Sequence, residues 1–222
     1  MWDKAMILML VEGIGATLLM TLVSTFFAYL IGLPVGILLV ITKKNGLNQN
    51  LTIYKVLDII VNILRSVPFL ILLIAVIPVT TFIVGKSYGP TATIVPLTIA
   101  AAPFVARLVE SSLQEVDRGV IEAAQSMGAS NWTIVWNVLL AEARTSLIVG
   151  TTIATGTILG YSAMAGVVGG GGLGDIAIRY GYYRYQTNVM VVTVVLLVVL
   201  VQILQMIGMR LSKKLDRRTN DY

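Results

Sequence analysis

Glu115, Asp117, Arg118, Glu122, Glu142 and Arg144 fall together in the stretch 111–145 of a 222-residue chain that carries only 16 basic and 11 acidic side chains. Their spacing suits docking rather than bond making. Residues 120–127 have helical spacing, and Gly128 stands where a left-handed residue closes a helix. Ser130 or Asn131 is placed to cap a second helix from Trp132 onward. Helix, glycine turn and helix make a compact protruding hairpin. On its first helix Glu122 is charged while Ala123 and Ala124 are small, a shallow face that another protein can approach closely. On its second, Ile134, Val135, Val138 and Leu139 form an apolar stripe, with Trp132 and Trp136 near the level of a membrane interface. The competing reading is a solvated loop with a helix or two. The chain has no histidine and no cysteine, so Ser-His-Asp catalysis, histidine–metal chemistry, thiolate sites and disulfides are excluded.

Two phosphate-like motifs carry little weight. Gly169-x-Gly171-x-x-Gly174 satisfies G-x-G-x-x-G, but the dinucleotide fingerprint needs a preceding strand in a soluble βαβ unit. Here an apolar span precedes it, and an external loop or re-entrant turn is expected. Gly85-Lys86-Ser87 resembles the end of a P-loop, yet Thr80 occupies the position of the first glycine. Asn50-Leu51-Thr52 and Asn131-Trp132-Thr133 are formal glycosylation sequons on segments expected inside the cell, where they go unmodified.

The elements that hold these residues are set by composition. Hydrophobic residues make up 57% and charged residues 12%, half of what covers a soluble domain. Lipid as solvent removes that conflict. A span needs roughly 20 apolar residues. Five runs qualify, at about 14–41, 57–84, 92–109, 147–168 and 189–209, with the hairpin segment 111–145 between the third and fourth. Runs such as VVTVVLLVVLV do not alternate in polarity, so they are helices and not barrel strands. The expected fold is an all-α integral membrane protein of about five transmembrane helices in a single domain, 1–222. The first run is too long for the apolar core of a signal peptide, so it is expected to stay. With the N-terminus outside, twelve of the sixteen Lys and Arg residues fall on inside segments, including Lys43, Lys44, Arg118 and the tail from Lys213 to Arg218. The net charge of +5 is thereby read as positive-inside orientation, with the C-terminus inside, and not as nucleic-acid binding. Gly32-x-x-x-Gly36 and Gly156-x-x-x-Gly160 allow close helix approach, within one subunit or at a dimer seam. Arg65 lies near the inner end of its run, where snorkelling or a pathway role would account for it.

Glu122-Ala123-Ala124, followed four residues on by Gly128 and then a hydrophobic helix, resembles the EAA loop of ABC-importer permeases. The match departs at Ala141, where that motif has proline. Leu64-Arg65-Ser66-Val67-Pro68-Phe69 resembles the start of span 2 in amino-acid permeases. Ser162 to Val168, the glycines 169–172, Leu173-Gly174-Asp175 and the run YGYYRYQ at 180–186 are similar to the methionine-importer branch. The resemblance implies a permease subunit in a bacterial cytoplasmic membrane, without enzymatic activity or cofactor of its own. ATP and Mg²⁺ would be bound by a partner ATPase. The implied assembly is a homodimer of this chain, two ATP-binding-cassette subunits and an external substrate-binding lipoprotein, embedded in membrane lipids. Glu122, Ala123, Ala124, Met127, Gly128 and Ala129 would couple to the ATPase. Methionine, as either stereoisomer, is the implied cargo, with another amino acid or a small peptide as the alternative. Tyr161, Ser162 and Met164 lie together on span 4 as candidates to line the pathway, Met164 being a soft side chain suited to a thioether or to ordinary packing. The tyrosines Tyr180, Tyr182, Tyr183 and Tyr185 fit an interfacial belt or a contact with the external partner. A channel or scaffold subunit without a transport cycle is the reading from another class; the spans show no polar rings that a channel would want.

Overall fold

The structure is a computed structural model and describes residues 4–215. Arg217 and Arg218 of the basic tail lie outside the described residues. Among these residues every regular element is helical. The first, α1 (Lys4–Thr42), contains Pro34. After the loop 43–50 comes α2 (Leu51–Ser66), whose start is fixed by Asn50, its side-chain oxygen accepting from the Ile53 N–H at 3.1 Å. Pro68 has extended backbone and stops that helix from running on into α3 (Phe69–Ala75). Next is α4 (Ile77–Val84), with a proline in its first turn and a closing Gly85 at φ +77°. Pro90 opens α5 (Pro90–Gln114), a position where its missing N–H costs nothing.

The hairpin is α6 (Arg118–Ser126) and α7 (131–142). The latter consists of Asn131–Thr133, a π-helical stretch Ile134–Leu139 and Leu140–Glu142. It is followed by α8 (Arg144–Ala165), a 3₁₀ turn Gly166–Val168, α9 (Gly172–Ile176) with a π-helical continuation Ala177–Tyr182, and α10 (Thr187–Leu215). Among the described residues, four helical stretches are long and apolar enough to cross a membrane: Lys4–Thr42, Pro90–Gln114, Arg144–Tyr182 and Thr187–Leu215. The bent pair α2 and α3 makes a fifth if counted as one span.

The chain forms two compact units. Of the described residues, one takes in 4–28, 67–101 and 154–205. Its core gathers Leu10, Leu173, Ile176 and Val189, with Met6, Met9, Ile14 and Tyr180 packed against them. The buried Thr17 hydroxyl is held by backbone: it donates to the Gly13 carbonyl at 2.8 Å and accepts the Leu173 N–H at 2.9 Å. That solution keeps polar atoms satisfied where no water is available. Of the described residues, the other unit takes in 29–66, 102–153 and 206–215. Leu39, Val61 and Ala106 form its core with Val35, Tyr54 and Leu57. There Gly32 and Gly36 let α1 lie directly on α5. A β-carbon at Gly32 would stand 2.7 Å from the Ala102 carbonyl, and one at Gly36 2.7 Å from that of Ala106. This glycine pair therefore packs within one subunit. Gly160 meets nothing within 4 Å.

Candidate docking site

Three of the hairpin's four helix ends are closed by its own groups. Asp117 caps α6, its carboxylate accepting from the Gly119 N–H at 2.6 Å. At the other end Gly128 sits at φ +78°. Its N–H bonds the Gln125 carbonyl at 2.9 Å, and the Ala129 N–H bonds that of Ala124 at 3.1 Å. This crossed pair is a Schellman closure, which needs a left-handed residue where glycine stands. Between the two capping residues considered for α7, the structure selects Ser130, whose oxygen accepts from the Thr133 N–H at 3.2 Å. Asn131 instead donates to the Leu47 carbonyl at 3.1 Å and ties the hairpin to the loop after α1.

The six coupling candidates divide by exposure. Glu122, Ala123, Met127 and Gly128 face outward, Met127 at 81% exposure. Ala124 is buried and Ala129 half-buried. Thus one alanine of the trio offers a shallow outer surface while the next seats the helix. Ile134, Val135 and Leu139 are buried, so the apolar stripe of α7 anchors the hairpin to its own unit. Trp132 and Trp136 stay exposed with ring centroids 5.4 Å apart. At Ala141 the helix carries on without proline and breaks two residues later, at Ala143, whose N–H still bonds the Leu139 carbonyl at 3.0 Å.

On α8, Tyr161 is half-buried and stacks flat on Phe69, with centroids 4.6 Å apart and planes 4° from parallel. Met164, one turn on, is 49% exposed. Ser162 is buried and donates to the Leu159 carbonyl at 2.7 Å. Tyr161 and Met164 therefore share a side of the helix from which Ser162 is turned away. The glycine run after α8 is a packed turn. A β-carbon at Gly166 would overlap the backbone of Gly174 and Asp175, and one at Gly174 the backbone of Ala163. A helix precedes it, not the strand a dinucleotide site needs. Gly85 likewise ends a helix, whereas a phosphate-binding loop begins one. Arg65 lies exposed in the last turn of α2, near the carbonyl end that favours a cation.

One cluster escaped the sequence reading. Arg107 on α5 pairs with Asp58 on α2 and with Glu110 at 2.6 Å, and also donates to the Asn62 side chain at 2.8 Å. Gln114 donates to Glu110 at 3.1 Å. The available signal was an acid in one apolar run and a base in another near the same end.

The chain matches the family described as "Binding-protein-dependent transport system inner membrane component" over residues 32–221. It is 53% identical to the "Probable D-methionine transport system permease protein MetI" of Vibrio cholerae, over 95% of this chain and 93% of that one. It is 49% identical to the protein of the same description from Haemophilus influenzae, over 91% of this chain and 95% of that one. Among solved structures, a chain from the MetNI methionine ABC transporter in inward-facing conformations superposes with a TM-score of 0.96 at 49% identity. The superposition covers 97% of this chain and all of that one. A capped hairpin with an exposed face, on a scaffold that is helical among the described residues and matched over nearly its whole length, places this chain in the binding-protein-dependent transport system inner membrane component family.

Proposed function

We propose that this chain is the membrane permease subunit of an ATP-driven methionine importer, working as a homodimer with two separate ATPase subunits and an external binding protein. The whole-length similarity to methionine permeases carries this reading. In the proposed cycle ATP binding closes the two ATPases, and their motion displaces the hairpins around Glu122 to Gly128. The spans then rock, and a cavity alternates between the two membrane faces. The N-terminus lies outside and the hairpin inside, as the Lys and Arg distribution indicates. Tyr161, with Phe69 stacked behind it, and Met164 line the pathway, where aromatic and thioether surfaces suit a methionine side chain.

The hairpin works because it is preformed and small-surfaced. Its exposed Met127 and Trp132 are of the residue types enriched at interface cores, and Glu122 adds an exposed charge on the same hairpin. Glu122→Lys, and separately Gly128→Val, should release the ATPase on co-purification and lower labelled methionine uptake into vesicles at least tenfold. Normal assembly and uptake in both variants would sink the assignment. Uptake of D- and L-methionine against other amino acids, measured with the cognate binding protein, decides the cargo.

A further inference from the structure

Beside the hairpin lies a pocket of about 240 Å³ that shares Glu122 with the coupling motif but is otherwise lined by residues outside it. It is walled by Lys43 and Asn45 of the loop after α1 and by Arg118, Glu122 and Gln125 of α6, over a floor that includes buried Leu113. Small-molecule sites run from about 300 to 1,000 Å³, so this one is sized for a side chain. Lys43 and Arg118 form no ion pair with any described residue. Glu110, the acid that attracts Lys43, already has one oxygen held by Arg107 at 2.6 Å and the other by Gln114 at 3.1 Å. Arg118 and Glu122 stand one turn apart on α6 without closing a salt bridge, although that spacing favours one. Burial pushes the Lys43 ammonium below the ordinary lysine value; Glu110 works against that shift and Arg118 adds to it. Two cations thus face one small cavity whose own carboxylate, Glu122, pairs with neither of them. The loop that carries Lys43 is bonded to the hairpin through Asn131 and the Leu47 carbonyl, so pocket and docking face form one continuous surface.

We infer that this pocket receives an acidic side chain of the ATPase subunit, an aspartate or glutamate held between Lys43 and Arg118, and that the loop 43–50 is a second part of the coupling interface. The inference rests on the coupling role proposed for the hairpin. A carboxylate there would accept from both cations, with the amides of Asn45 and Gln125 within the same walls. Glu122 would then be left for a cation on the same partner.

The test uses the full chain in nanodiscs, titrated with its purified ATPase at low and at physiological salt. Arg118→Gln and Lys43→Gln should each weaken binding about five-fold, the upper end for a partly exposed pair. The double variant should lose at least tenfold and show a shallower salt dependence than the parent. Lys43→Arg, which keeps the charge, should stay within about twofold. Arg118 is exposed, so Arg118→Gln is expected to keep the parent's thermal midpoint, measured alongside. Unchanged ATPase affinity in the double variant overturns the inference. So does a double variant that binds the ATPase normally but loses co-purifying anionic lipid, which would make the pocket a headgroup site. If Glu122→Lys and Gly128→Val release the ATPase while the double variant holds it, only this inference fails. If none of them does, the coupling role fails too.

Discussion

Arg107 shows what a charge needs in order to live beside lipid. It has 18% of its side chain exposed, Asp58 31% and Glu110 9%. Removing the cation would leave two acids crowded together and poorly solvated, the situation that makes one-sided deletions of such pairs expensive. Arg107→Met should therefore lower unfolding stability in detergent by about 3 kcal/mol, read from a chemical-denaturant midpoint. Adding Asp58→Asn should recover part of the loss, because one of the stranded charges goes with it. A pair whose removal costs nothing would mean that water reaches these groups freely. None of this was legible in the sequence. Asp58 and Arg107 lie 49 positions apart, and only the packing of α2 on α5 makes them neighbours. Gly128 was legible, because a left-handed closure is settled within five residues of chain.

At the scale of elements, close approach is decided by what stands opposite a missing β-carbon. Gly36 faces the Ala106 carbonyl, which belongs to a helix backbone and cannot swing aside. Gly36→Val should cost about 2 kcal/mol or more by overpacking. Gly160 has open space and no left-handed backbone, so Gly160→Ala should be neutral or slightly stabilising through helix propensity. Thermal midpoints of the two variants in one detergent check the contrast. The sequence presented both positions as members of identical G-x-x-x-G patterns and could not rank them, since the pattern says nothing about the facing helix. The start at Ser130 could be read from local chemistry, whereas 57–84 reads as one run in which the break at Pro68 is passed over. The π-helical stretches at Ile134–Leu139 and Ala177–Tyr182 could not be read, because no residue type marks them. Within the coupling motif, hydropathy gave Ala123 and Ala124 the same role, and only the packing of α6 distinguishes the outer from the inner one.

For the whole molecule, hydropathy and charge sufficed to announce a helical membrane protein, and the four long apolar stretches plus one bent pair agree with that class. Orientation is a separate matter, and the absence of cysteine makes the chain a ready background for measuring it. Tyr88→Cys and Lys214→Cys both sit at exposed positions. An impermeant maleimide should label the first in intact cells and the second only after permeabilisation; the reverse pattern would invert the proposed topology. The closure of the hairpin has one more consequence. With Asp117, Gly128 and Ser130 satisfying its ends, the segment is folded before any partner arrives. Docking then orders little backbone, so little of the contact energy is lost to disorder-to-order entropy. A stiff strut of this kind converts a push at one end into displacement at the other without first being taken up as slack.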